Sequence, residues 1–197
     1  RVTASSRYRA FVNGVFVGHG PARGPHGRFR VDDWEIGPHL RPGRNVVALE
    51  VAGYNVNSFY LLDQPSFLWA EVAAGGRVVA STDGPGANFA GRILPERVQK
   101  VQRYSFQRPF TEVWRRTPGA DRWRAERFDD AAALAAAEPP PLLPHRAPLP
   151  RWEILKPVRL LSAGRLVAGP PPERPWKDRS LTGIGPQLGG FPEGELE

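Results

Sequence analysis

No cysteine occurs in the 197 residues, so neither a disulfide framework nor a thiolate metal site can hold this chain together. That absence leaves the compartment open between cytoplasm and secretion. Long apolar runs are missing too: nothing reaches the roughly 18 residues that a membrane-crossing helix needs, so no membrane partner is expected. The opening "RVTASSRYRAF" carries no signal-peptide pattern and no initiator methionine, and "GGFPEGELE" closes the chain without a terminating element. The expectation is an internal piece of a longer polypeptide.

Lysine is scarce as well, with 24 arginines against 3 lysines. The net charge of +7 could point to nucleic acid, but residues 1–100 hold 12 basic and 8 acidic groups and residues 101–197 hold 15 and 12. A charge spread that evenly describes a solvated or interdomain face rather than a phosphate-binding stripe. A basic nucleic-acid-binding domain is therefore the least favoured of the functions weighed, and no nucleic-acid partner is expected.

What the chain has in quantity is glycine and proline, 21 and 22 residues. So many breakers favour short strands joined by tight turns. "RYRAFVNGVFVG" places two strand-like runs around Asn13-Gly14, the pair that supplies positive φ to a type I′ hairpin turn. A second hairpin is expected at Gly75-Gly76, between "SFLWAEVAA" and "RVVAST". "GHGPARGPHG" reads as loop, and "RFRVDDWEI", "NVVALEVAG", "RVQKVQRYSFQRPF" and "TEVWRR" read as further strands.

Residues 1–118 thus predict an all-β, antiparallel β-sandwich. Residues 119–197 predict one short helix in "FDDAAALAAAE", a Pro-rich connector at "PPPLLPHRAPLP", two more short strands in "RWEILKPVRLLSAGRLVAG", and an irregular extension toward a missing C-terminal part.

Chemistry is thin. Asp32 and Asp33 are strand neighbours that point to opposite faces, though each could meet another group. Glu50, Asp63 and Glu71 have no defined arrangement, His19 and His26 lack metal-ligand spacing, and His39 and His145 stand alone. No nucleophile elbow, phosphate loop or dinucleotide fingerprint appears. No catalytic residue, metal site or cofactor is assigned.

The richest stretch is "AGYNVNSFYLLDQPSF", residues 52–67. Tyr54, Asn55, Asn57, Tyr60, Asp63 and Gln64 combine rings with planar polar groups, the inventory of a carbohydrate subsite. Against it stands a bland reading, in which Phe59, Leu61 and Leu62 plug the sandwich end and the amides cap loop backbone.

The string "YRAFVNGVFVGHGPARGP…FRVDDWEIGPHLRPGRNVVALEV" resembles the N-terminal β-sandwich of bacterial α-L-rhamnosidases and related glycosidases. The shared features are "VNG" at 12–14, "VG" at 17–18 and "LRPGRN" at 40–45. "VQRYSFQRPFTEVW" and the W-x4-FDD pattern of Trp123, Phe128, Asp129 and Asp130 extend it, with Leu134 near the place of a usual second Trp. The resemblance covers about residues 7–160 and implies a galactose-binding-like jelly roll. It also implies an enzyme that cleaves terminal α-L-rhamnose with inversion, using acidic residues of an (α/α)6 barrel C-terminal to such sandwiches. Nothing here matches that barrel. The implied function is a non-catalytic, architectural domain that could also bind a rhamnose-containing glycan, with the catalytic domain of the same polypeptide as its partner. An independent lectin-like carbohydrate-binding module is the alternative.

Overall fold

The computed structural model describes residues 1–54, 57–59, 61–84, 87–98, 112–115, 117–135, 140–149, 153 and 155–164. The chain divides into two units, Arg1–Leu94 with Arg116–Ala147, and Pro95–Arg115 with Pro148–Glu197.

The first unit is all-β. Its strands are β1 (Val2–Ser5), β2 (Arg7–Val12), β3 (Val15–Gly20), β4 (Phe29–Val31), β5 (Val47–Ala52), β6 (Phe67–Ala74), β7 (Arg77–Ser81), β8 (Ala90–Gly91), β9 (Ala132–Ala133) and β10 (Leu142–Pro144). One sheet runs β3-β2-β5 and is antiparallel throughout. The other is built on antiparallel β1-β6-β7. Reciprocal backbone bonds of 2.9 Å between Val2 and Asp32 attach the end of β4 to β1, and β10 pairs with β4 in parallel.

Strand alternation explains how the sandwich fills. Tyr8, Ala10 and Val12 of β2 point inward to join Val2, Ala4, Val17 and Ala70, with Trp34, Leu49 and Leu68 packed around them. The intervening Phe11 faces the other way. With Ala48 and Trp123 it forms a second cluster on the outer face of the sheet, flanked by Phe16, Leu94 and Phe128. Phe11 meets both Phe16 and Trp123 edge to face, at centroid distances of 5.5 and 5.4 Å.

The Asn13-Gly14 hairpin is present, with φ of 51° and 85°, and so is the Gly75-Gly76 turn between β6 and β7. Asn13 does more than turn. Its side-chain amide donates to Asn45 Oδ1 at 2.9 Å and to the His39 carbonyl at 3.0 Å, and its oxygen accepts from the Val46 N–H at 3.0 Å. "VNG" and "LRPGRN" are therefore two halves of one hydrogen-bonded corner.

The short helix expected in "FDDAAALAAAE" is corrected. Over the described residues 128–135, Asp129-Asp130 forms a turn, and Ala132–Ala133 pairs antiparallel with Ala90–Gly91. Asp130 is paired with Arg92, whose guanidinium lies 3.6 Å above the Phe128 ring. These tertiary contacts override the intrinsic helix propensity of alanine, which amounts to only a few tenths of a kcal/mol per residue. The Pro-rich connector gains structure instead, because Leu142–Pro144 becomes β10 at a sheet edge, where proline is tolerated.

In the second unit, Arg97 and Trp114 form an isolated antiparallel bridge, supported by Val98 N–H to Val113 C=O (3.0 Å) and Arg115 N–H to Glu96 C=O (2.9 Å). Most of "RVQKVQRYSFQRPF" lies outside the described residues. Of the two further strands expected in "RWEILKPVRLLSAGRLVAG", none occurs over described residues 153 and 155–164.

Candidate functional site

The loop between β5 and β6 grows from the sandwich end that also carries the β1–β2 turn. Two serines of that turn anchor it: the Tyr54 N–H donates to Ser6 Oγ at 3.2 Å, and Gln64 Nε2 donates to Ser5 Oγ at 2.9 Å. Gly53 is dictated by close approach, because a Cβ there would sit 1.9 Å from Ser66 Oγ. Further out, the Ser58 N–H donates to the Leu61 carbonyl (2.9 Å), and the Leu61 N–H donates back to Ser58 Oγ (3.1 Å). Asn57 Oδ1 accepts from the Asp63 N–H at 2.9 Å.

These bonds sort the candidate residues. Asn57 and Gln64 use side-chain atoms to hold the loop's own backbone and its root, as the bland reading expects of amides. Tyr54 is half-buried, and Asp63 is exposed at the rim. Asn55 and Tyr60 lie outside the described residues. The expected apolar plug is corrected: Phe59 is 66% exposed and Leu62 is exposed too, while Leu61 is half-buried. The loop thus carries Phe59, Leu62 and Asp63 on its outside.

The most highly organised polar group is elsewhere, and sequence reading missed it. Asp32, with 0% exposure, accepts hydrogen bonds on both carboxylate oxygens, from the Tyr8 hydroxyl and from Nδ1 of His145. Trp34 Nε1–H donates to the Tyr8 oxygen at 2.8 Å. Burial and the Asp32 bond push the Tyr8 hydroxyl well above the usual phenol range. His145 arrives just beyond β10, 113 residues away in sequence, which is why it looked isolated.

The available signal was "VGHG". A Cβ on Gly18 would sit 2.2 Å from the Trp34 ring, and one on Gly20 would sit 2.0 Å from Asp32 Oδ2. Two glycines in alternate positions of a strand mark where large groups press on the backbone. Because the Asp32 carboxylate is enclosed and both its oxygens are engaged, the cluster joins β2, β4 and the segment after β10.

Two of the other described carboxylates are held in ion pairs. Glu50 on β5 pairs with Arg9, whose Nε donates at 2.8 Å, and Glu71 on β6 pairs with Arg1 at 3.2 Å. Among the described residues, no group of three or more His, Asp or Glu side chains could hold a metal ion.

The fold and its loop-bearing end define the class first: an antiparallel β-sandwich domain. No protein-family model and no curated protein matches the chain. Among solved structures, the crystal structure of a GH78 family rhamnosidase from Bacillus sp. GL1 is similar, with 34% sequence identity and a TM-score of 0.61. The likeness covers 75% of this chain and 16% of that one. It bears out the resemblance drawn from "VNG" and "LRPGRN", and it supports a domain of that enzyme family.

Proposed function

We propose that the chain is a non-catalytic β-sandwich domain of an α-L-rhamnosidase-like glycoside hydrolase, architectural in role, with catalysis supplied elsewhere in the polypeptide. The observation that carries this reading is 34% identity to a segment that makes up only 16% of a GH78 rhamnosidase. The Asp32 cluster supports it, since that carboxylate is buried with both oxygens hydrogen-bonded. An inverting glycosidase needs two carboxyl groups roughly 6.5–9.5 Å apart, flanking an open cleft. The test is hydrolysis of an aryl α-L-rhamnoside. This chain alone releases no aryl alcohol, whereas the full polypeptide does. Turnover by the repurified chain that disappears on mutating one of its carboxylates overturns the reading.

A carbohydrate-binding module is the second reading, favoured by the outward Phe59 ring beside the exposed Asp63. An exposed ring can cover the apolar face of a sugar, and a neighbouring carboxylate can accept from its hydroxyls. Binding of rhamnose by this chain, measured by titration, distinguishes it from a purely architectural role.

A further inference from the structure

We propose that residues 155–161, "LKPVRLL", are a docking strand that adds to a sheet edge of another domain in the same polypeptide. The proposal rests on the reading above, that the chain is one domain of a larger hydrolase.

Every residue from 155 to 164 is exposed. Four of them are large and apolar: Leu155 at 82%, Val158 at 98%, Leu160 at 81% and Leu161 at 80%. Single exposed apolar residues are ordinary, but four within seven positions are a concentration that a partner surface would cover.

The sequence suits a strand taken up by an existing sheet. On a pleated edge Val158 and Leu160 would share one face, and Arg159 and Leu161 the other. Pro157 has no N–H to donate, which suits the outer side of an added edge strand. Lys156 and Arg159 give the segment a positive border, so the receiving edge should be apolar with acidic flanks.

What points to the same polypeptide as the source is size. The similar rhamnosidase has most of its length beyond the 16% matched here, so a domain of this kind is one small part of a much larger body.

The test is hydrogen exchange of residues 155–164, compared between this chain and the full polypeptide. Exchange in the full polypeptide should be slower by about tenfold or more, because a docked strand exchanges only through opening. Val158→Asp with Leu160→Asp should abolish that protection while leaving the melting temperature of this chain unchanged, since both side chains are exposed in it. Arg159→Glu should weaken the protection as well. Equal exchange in the two forms overturns the proposal. Protection within this chain that rises with its concentration also overturns it, by making a second copy the occupant. Hydrolysis of the aryl rhamnoside by the full polypeptide reports on the underlying reading separately. Activity without protection sinks the docking strand alone, and no activity sinks the parent reading.

Discussion

Single side chains in this sandwich act mainly through what they leave unsatisfied when removed. Tyr8 illustrates this. It is buried, donates to Asp32 and accepts from Trp34, and its ionisation is held above the ordinary value. Tyr8→Phe keeps the ring but leaves Asp32 short of a donor and Trp34 short of an acceptor, which should cost about 1–3 kcal/mol in urea unfolding.

The same group makes a pH prediction. A phenol held above its unfolded value of about 10 keeps its proton in the fold after the unfolded chain has released one, so its contribution is complete below about pH 10 and declines above it. Wild type should therefore lose stability from about pH 10 upward more steeply than Tyr8→Phe. Parallel slopes in melting curves from pH 8 to 11 would show that Tyr8 does not carry the effect.

At the scale of elements, turns were legible and long-range partners were not. Asn13-Gly14 announced its hairpin because positive φ at two successive positions is chemically restrictive, and the structure has it at 51° and 85°. Gly14→Val, forcing a β-branched residue to a φ of 85°, should lower stability by about 1–2 kcal/mol. A loss below a few tenths would mean that the hairpin is held by the Asn13–Asn45 corner rather than by its turn.

"FDDAAALAAAE" misled for the opposite reason. Alanine propensity is local and weak, while the pairing of Ala132–Ala133 with Ala90–Gly91 and the Arg92–Phe128 stack depend on residues about 40 positions upstream. His145 could not be joined to Asp32 from sequence for the same reason, since neither residue's neighbourhood encodes the other. The loop at 52–67 was legible as a loop. That Gln64 would be engaged depended on Ser5, far upstream.

At the scale of the whole molecule, the two proposed roles part at the loop-bearing end. Phe59 decides between them better than the amides do, because Asn57 and Gln64 are engaged in holding the loop. A ring 66% exposed contributes little to folding, so Phe59→Ala should change stability by no more than about 0.5 kcal/mol. If the ring covers a sugar face, the same change should weaken rhamnose binding by about 0.5–1.5 kcal/mol, the scale of one aromatic contact. Asp63→Asn would then reduce affinity further by exchanging a charged acceptor for a neutral one, with the loop intact because the Asp63 contact to Asn57 is made by its backbone N–H. Calorimetric titration of wild type and both variants, alongside their melting curves, separates the outcomes. Wild type that binds no rhamnose, with both variants as stable as wild type, would remove the sugar from this end of the sandwich. The proposed role would then be architectural alone.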